Sequence, residues 1–390
     1  MPDDSNTVSV RVLDGVADVP VEEWDACAGG NDPFVSHAFL HILEESGCVG
    51  DETGWLPRHL AITGDDGTLV ACAPLYVKGH SYGEYVFDWG WGEAYERAGG
   101  RYYPKLQAAV PFTPVTGRRL LIRPGAPAKL ADSFAAGMVE LARRMGVSSL
   151  HVTFPTEAEW RRLGEMGFLL RIGQQFHWFN QDYGSFDGFL DALSSRKRKA
   201  IRKERRGVAE HGIVIRPLTG SDIEERHWDA FFGFYTNTSD RKWGFPYLNR
   251  AFFSLLGERL ADRVVLVMAE TADGRPAAGA LNLLGADALY GRYWGCAEAY
   301  RFLHFEACYY QAIDFAIANR LTRVEAGAQG PHKIQRGYLP QATYSAHWIA
   351  DSGFRRAVDN FLQAERPAIL EEIRRLIAES PYRSEGAREA

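Results

Sequence analysis

A mixed α/β fold made of two tandem copies of one unit is what this sequence predicts, on three observations. Landmarks recur in the same order roughly 205 residues apart, a separation far beyond solenoid periods and suited to a duplicated domain. Strand-like alternation and helix-like spacing take turns along the whole chain. The length of 390 residues with 46% hydrophobic content is enough for two ordinary cores.

In the first copy, alternating Val8, Val10 and Val12 read as a strand, and Pro20 to Ser46 as two helices around the turn Gly29-Gly30-Asn31-Asp32-Pro33. Strands meander through residues 57–77, with a hairpin turn at Gly64–Gly67. The aromatic run Tyr85 to Trp91 reads as a further strand, and residues 101–110 as a helix. Pro111-Phe112-Thr113-Pro114 must be extended, because proline disfavours helix at the residue before it. A strand at 119–122, a helix at 129–145, a strand at 149–154, a short helix at 157–166 and a strand at 169–179 follow.

At Ser185 the composition shifts. Eight of the eleven positions from Arg196 to Arg206 are Lys or Arg, which makes this helix the expected junction between domains 1–184 and 185–390. A strand at 213–216 leads to the second copy, with Trp228-Asp229-Ala230 repeating Trp24-Asp25-Ala26. The turn Asp273-Gly274 repeats Asp66-Gly67, and Tyr290-Gly291-Arg292-Tyr293 repeats Tyr82-Gly83-Glu84-Tyr85. Glu298-Ala299-Tyr300 and Tyr309-Tyr310 repeat Glu93-Ala94-Tyr95 and Tyr102-Tyr103. A helix from Phe354 to about residue 378 closes the fold.

A formal net charge of -6 excludes a globally basic surface of the kind that coats nucleic acid, so no DNA partner is expected; a small-molecule or peptide acceptor is. The acidic start Met1-Pro2-Asp3-Asp4 lacks an export signal and no apolar run reaches about 18 residues, so a cytoplasmic chain without membrane insertion is expected. Five scattered cysteines without a Cys-x-x-Cys pair indicate neither a disulfide framework nor a zinc site, and His37 and His41 lack a third ligand. No metal and no tightly bound cofactor is expected.

The densest chemical signal runs from Val324 to Tyr338: a strand, a glycine-rich turn through Gln329 and Gly330, then His332, Lys333 and Arg336. Exposed turn amides followed by cations suit an anionic ligand or a developing oxyanion, although such residues also serve plain turns and solvated surfaces. Strand alternation sets Arg292 and Trp294 opposite Tyr293, so a cation and an aromatic plate share one wall. His304 is the candidate base and Tyr309 lies on the same helix; both also suit plain packing. In the first copy Asp88, Trp89, Tyr102 and Lys105 form a polar-aromatic mix suited to an acceptor. Arg196, Lys199 and Lys203 on the basic helix suit phosphates, the competing reading being a solvated face.

Gln174-Gln175-Phe176-His177-Trp178, Ser185-Phe186-Asp187, Ser195-Arg196-Lys197-Arg198, Asp240-Arg241-Lys242-Trp243-Gly244 and Ala328-Gln329-Gly330 through Lys333 to Gly337-Tyr338 form an ordered pattern. It resembles the FemAB-like branch of the GNAT superfamily over roughly Trp24 to Ile349. The resemblance implies two tandem GNAT-like acyl-CoA N-acyltransferase domains, the first on the acceptor side and the second on the donor side. It implies N-acyl transfer, with aminoacyl-tRNA or acyl-CoA as donor and a peptidoglycan-precursor-like amine as acceptor. Lys333 matches the lysine proposed in relatives to steady the acyl-transfer intermediate, and Arg241 and Trp243 fall in the donor motif. A non-catalytic module recognising peptide or RNA is the other reading. Acyl-CoA users carry Gln/Arg-x-x-Gly-x-Gly/Ala at a helix N-terminus, whereas Tyr300 to Ala307 contains no glycine; backbone amides are then less open to a diphosphate, which favours the tRNA-borne donor.

Overall fold

The computed structural model describes residues 10–127, 129–242 and 245–383, with the side chains of 239–242 outside the description. The side chain of Arg241 and all of Trp243 therefore lie outside the described residues. The chain divides into two compact units, Met1–Gly173 with Thr343–Ile369, and Gln174–Ala342 with Leu370–Ala390. These are not the contiguous halves 1–184 and 185–390. Two 11-residue strands, Leu169–Phe179 and Leu339–Ile349, each carry the chain from one unit into the other. The composition change at Ser185 marks the start of a helix inside the second unit.

Unit 1 contains β1 (Val10–Leu13), α1 (Val21–Ala28), α2 (His37–Glu45), β2 (Trp55–Pro57), β3 (His59–Thr63), β4 (Leu69–Ala73), β5 (Leu75–Lys78), α3 (Trp89–Arg97), β6 (Lys105–Ala108), β7 (Leu121–Ile122), α4 (Leu130–Met145), β8 (Ser149–Thr153), α5 (Glu157–Glu165) and the start of β9 (Leu169–Phe179). One sheet runs β1-β3-β4-β7. The β3–β4 turn closes through Gly64 N–H to Thr68 O, with Gly67 at φ +84, where a side chain would be strained. A capping box between Thr156 and Glu159 starts α5.

The second sheet of unit 1 joins β2, β5, β6 and β8 to the end of the strand Leu339–Ile349. One face is apolar: Leu75, Leu106, Ala108, Leu150, Val152 and Ala346 pack with Phe134, Ala135, Met138 and Ala142 of α4. The register Lys78↔Lys105, Tyr76↔Gln107, Gln107↔His151, His347↔His151 and Ser345↔Thr153 places the alternate residues together on the other face. That face is polar and yet buried: Tyr76, Lys78, Lys105, Gln107, Ser149, His151, Thr153, Ser345 and His347 are all at most 3% exposed.

Two local expectations fail here. Residues 101–110 are not helical: Pro104 has no N–H to give a helix, and Lys105-Leu106-Gln107-Ala108 alternates between the two faces just described. Residues 85–88 are not a strand, and α3 begins at Trp89.

Unit 2 contains α6 (Phe186–Ala192), α7 (Ser195–Glu210), β10 (Val214–Thr219), α8 (Glu225–Lys242), α9 (Arg250–Arg259), β11 (Val264–Glu270), β12 (Pro276–Leu284), β13 (Ala288–Cys296), the turn α10 (Leu303–Phe305), a π-helical turn (Glu306–Tyr310), α11 (Gln311–Ala318), β14 (Arg323–Glu325), a 3-10 helix (Pro331–Arg336) and the start of β15 (Leu339–Ile349); α12 (Ser352–Ala378) begins in unit 1 and ends here. The sheet order is β10-β11-β12-β13-β14-β9. Phe176, Trp178, Leu289, Tyr310, Ile313, Ala316, Val324 and Tyr338 form its core. A Cβ at Gly295 would run into the Phe234 carbonyl, so this glycine lets β13 lie directly on α8.

The repeat is only partly structural. Trp24-Asp25-Ala26 and Trp228-Asp229-Ala230 both lie in helices, and Gly67 and Gly274 both take positive φ in hairpin turns. Tyr82–Tyr85 is a loop whereas Tyr290–Tyr293 is in β13, and Tyr102-Tyr103 lies outside helix and strand whereas Tyr309-Tyr310 is in the π-turn.

Candidate active site

In unit 2, β14 ends in a turn with Gly327 at φ +72 and Gly330 at φ +97, and the 3-10 helix that follows turns Lys333 inward. Lys333 is 5% exposed. Its Nζ donates to the Ala326 carbonyl and, at 3.2 Å, to the Gly327 carbonyl. An ammonium has three N–H groups, so one is left for a ligand. Burial pulls the Lys333 pKa down to about 8.

An aromatic wall meets the same turn at His332, while the ring nearest the Lys333 ammonium is Phe176 at 5.7 Å. His304 lies 5.3 Å from the Trp294 ring and 5.3 Å from the Tyr309 ring, and Tyr309 Oη is 3.1 Å from His332 Nε2. Burial raises the Tyr309 phenol. The π-turn underlies the wall: Gln311 N–H bonds to the Glu306 carbonyl, an i→i+5 closure. His304, the sequence candidate for a base, is enclosed by rings. Arg292 sits at a register shift between Leu281 and Asn282, with its guanidinium 5.3 Å from the Tyr293 ring, so simple alternation does not hold there. Gln329 and His332 are exposed and Gly330 half-buried.

Arg336 is committed elsewhere. Its Nη2 donates to both Glu204 oxygens at 2.8 and 3.0 Å, its Nη1 donates to the His332 carbonyl, and the guanidinium stacks 3.4 Å over Phe305. It therefore ties α7 to the turn instead of facing an anion. Arg205, beside Glu204, bridges Glu306 at 2.9 Å and Asp314 at 2.7 Å.

The opposite face of α7 lines a groove of about 650 Å³ with Lys199, Arg202, Lys203, Arg206 and one carboxylate, Glu210, joined by His211, Arg301 and Phe302. Lys199 and Lys203 thus meet, while Arg196 is not part of the lining. Arg202 pairs with Asp187 at 2.8 Å, an exposed and screened contact. Helical spacing i, i+3, i+4, i+7 aligns the four α7 cations, and Arg301 and Phe302 come from the glycine-free segment before α10.

In unit 1, Asp88, Tyr102 and Lys105 come together; Trp89 instead lies against Tyr82, ring to ring at 4.8 Å. Lys105 is fully buried and donates to Ser81 Oγ at 2.7 Å, to Glu84 Oε2 at 2.8 Å and to Asp88 Oδ2. Tyr102 donates to Asp88 Oδ2 at 2.6 Å. Burial pushes Glu84 up to about 7, and pulls Lys78, poised 3.6 Å over Trp55, down to about 7. Burial works against the Asp88 carboxylate too, but Lys105 and His151 hold it well below the usual range. His151 and His347 share a contact between Nδ1 atoms, and each takes its own neighbour: Ser149 Oγ at 2.7 Å from His151 Nε2, Ser345 Oγ at 2.9 Å from His347 Nε2. Sequence reasoning missed Ser81, Glu84, His151 and His347. Its available signal was the twin pattern Ser149-Leu150-His151 and Ser345-Ala346-His347, polar at every second strand position.

Among the described residues no helix is long and apolar enough to cross a membrane. None of the curated proteins matches the chain. Solved structures do. FemX aligns with TM-score 0.55 and 12% identity over 87% of this chain and 98% of its own. The C-terminal domain (DUF2156) of a putative lysylphosphatidylglycerol synthetase from Agrobacterium fabrum aligns with TM-score 0.54 and 10% identity over 87% and 95%. L-PGS from Bacillus licheniformis aligns with TM-score 0.50 and 11% identity over 85% and 98%. At such identities the likeness is one of fold. The FemAB_like family, described as peptidoglycan biosynthesis/recognition, matches residues 15–384. The chain accordingly belongs to this FemAB-like family and shares the fold of FemX.

Proposed function

We propose that the protein is an N-acyltransferase that moves an aminoacyl group from aminoacyl-tRNA onto an amine of a peptide or peptidoglycan-precursor-like acceptor. Lys333 carries the reading. Its buried ammonium, with one N–H left after the Ala326 and Gly327 carbonyls, suits the oxyanion formed when an amine attacks an acyl carbonyl. Arg292, Trp294, Tyr309, Gln329, Gly330 and His332 frame the donor, and the acceptor belongs to the Asp88–Tyr102–Lys105 cluster. The family description and the names of FemX and the lysylphosphatidylglycerol synthetase domain support this class of chemistry. The groove on α7 supports a phosphate-rich donor: its cations follow one another along about 10 Å of helix, room for successive phosphates, and Phe302 offers a stacking face.

The same cations and ring also suit the nucleotide end of acyl-CoA, which is the second reading. Transfer assays with aminoacyl-tRNA and acetyl-CoA, each against amine-bearing peptides, separate the two. Transfer from aminoacyl-tRNA that Lys333→Met lowers is the expected result; transfer from acetyl-CoA alone replaces the donor, and transfer unchanged by Lys333→Met removes Lys333 from the reaction.

A further inference from the structure

The two carboxylates that share Lys105 are not equivalent. Asp88 Oδ2 receives Tyr102 in addition to Lys105, whereas Glu84 receives Lys105 on Oε2. Glu84 is 4% exposed and Asp88 2%, and Glu84 Oε1 and Asp88 Oδ1 each lie buried with no hydrogen-bond partner. Buried acceptors in that state strongly favour a donor. Lys105 has already directed hydrogen bonds to three partners, Ser81, Glu84 and Asp88. Lys78, the second ammonium facing both acids, donates to the Tyr82 carbonyl at 3.3 Å and reaches neither oxygen, so a ligand ammonium supplies the donors they lack.

The backbone turns Glu84 inward at a cost. Gly83 at φ +79 and Tyr85 at φ +58 flank it, and a tyrosine in the left-handed region is strained by about 1 kcal/mol. Tyr82, Tyr85 and Phe87 of the same loop are exposed, so ligand and solvent reach the loop that carries both acids. The groups that face Glu84 are Lys105 of β6, Lys78 of β5, Asp88 of the loop, and Tyr102 and Tyr103 ahead of β6; His80 faces Lys78 and Lys105, and His151 of β8 and His347 of β15 face Asp88 and Lys105.

We infer that this buried polar cluster of unit 1 takes up a primary ammonium, with Asp88 as the permanent counter-charge and Glu84 Oε1 as the atom that takes its proton. The inference rests on the acyl-transfer reading for its role, though not for its detection. The step balances. R–NH3⁺ gives one proton to the Glu84 carboxylate, leaving R–NH2 and a carboxylic acid. The nitrogen lone pair forms the C–N bond to the donor carbonyl. The acyl C–O bond breaks with its electron pair going to the leaving oxygen, which takes the second proton from nitrogen. The division of labour follows from unequal environments of paired carboxyls, with burial raising Glu84 while Lys105 and Tyr102 keep Asp88 charged. It moves the base from His304 to a residue that the sequence did not single out.

Difference infrared spectroscopy at pH 7 with n-butylamine as the probe tests it without any donor. Burial leaves part of Glu84 protonated at pH 7, and a bound ammonium favours its carboxylate, so the expected result is a negative protonated-carboxyl difference band in the wild type, absent in Glu84→Gln and restored in Glu84→Asp. No amine-induced band, or a band that survives in Glu84→Gln, overturns the inference. In transfer assays the wild type should lose rate below about pH 7, and Glu84→Gln should abolish that limb and lower kcat roughly 100-fold. If the band appears but no donor supports transfer, the acyl-transfer reading falls and the ammonium site stands. Near-ultraviolet circular dichroism of Glu84→Gln identifies a misfolded variant, in which case Glu84→Asp decides: an amine-induced band shifted from the wild type supports, and an unshifted band overturns.

Discussion

His151 and His347 face each other from paired strands with their Nδ1 atoms 2.7 Å apart, so one ring carries a proton at that nitrogen and the other does not. Two neutral histidines in opposite tautomers satisfy this contact, and Ser149 and Ser345 adapt because a hydroxyl donates or accepts. Nitrogen-15 NMR of selectively labelled protein should show two distinct buried tautomers at pH 7, and the pattern should collapse to a single one in His347→Gln.

Stability should fall on mild acidification. Burial holds His151 and His177 down to about 3 and His347 well below its usual value. Each binds a proton near pH 6.5 when unfolded, so below about 6.5 the unfolded chain carries the extra protons and stability is lost as pH drops. Glu84 acts oppositely: folded it protonates at about 7, ahead of its unfolded value, and adds stability as pH falls through that range. Three histidines outweigh one carboxyl, at up to roughly 1.4 kcal/mol per pH unit for each uncompensated group. Urea midpoints at about pH 5.5 and pH 7 check this, and His347→Gln should flatten the difference.

Lys333→Met should reduce transfer by about 10²–10³-fold with the fold retained. With its pKa near 8, the ammonium is lost as pH rises through that value, so wild-type activity should decline above pH 8 and the variant should lack that limb. A kcat–pH profile of both proteins is the measurement.

Arg336 and Glu204 should behave as a structural clamp. Removing either partner leaves a buried charge uncompensated and should destabilise by about 3 kcal/mol, whereas Arg336→Met with Glu204→Gln should recover a large part. A double-mutant cycle in urea reads the coupling.

Replacing Lys199, Lys203 and Arg206 with Glu should weaken binding of single-stranded RNA about 100-fold or more and make its salt dependence shallower by about 2. Fluorescence anisotropy at several salt concentrations measures both. Affinity indifferent to these changes would remove the groove from donor binding.

What was legible in the sequence follows from local chemistry. The glycines at 327 and 330 announced a turn that Lys333 could follow, and Asp66-Gly67 and Asp273-Gly274 announced hairpins, because positive φ leaves a signature in residue choice. The run 101–110 misled because its aromatic residues hid a four-residue strand whose two faces are both buried, one with leucine and alanine and the other with lysine and glutamine. Glu84 went unnoticed because the repeat aligned it with Arg292, and only the fold shows that one lies in a loop and the other in a strand. On α7, eight basic residues looked alike in sequence; the helix sorts Arg205 inward to carboxylates and Lys199, Lys203 and Arg206 outward to the groove.

The i→i+5 closure at Glu306–Tyr310 amounts to one residue inserted into a helix, and it sets that helix in two phases. Upstream, Leu303 is keyed to the cluster of Val208, Ile213 and Ala278; downstream, Ala312, Ile313 and Ala316 are keyed to Trp178, Leu289 and Val324. Deleting a residue between them would not simply shorten the element. It would rotate one end by about 100° against the other, so that either Leu303 or Ile313 must leave its core and the Tyr309–His332 contact goes with the phase that loses. The length of this turn is therefore as strictly specified as its chemistry.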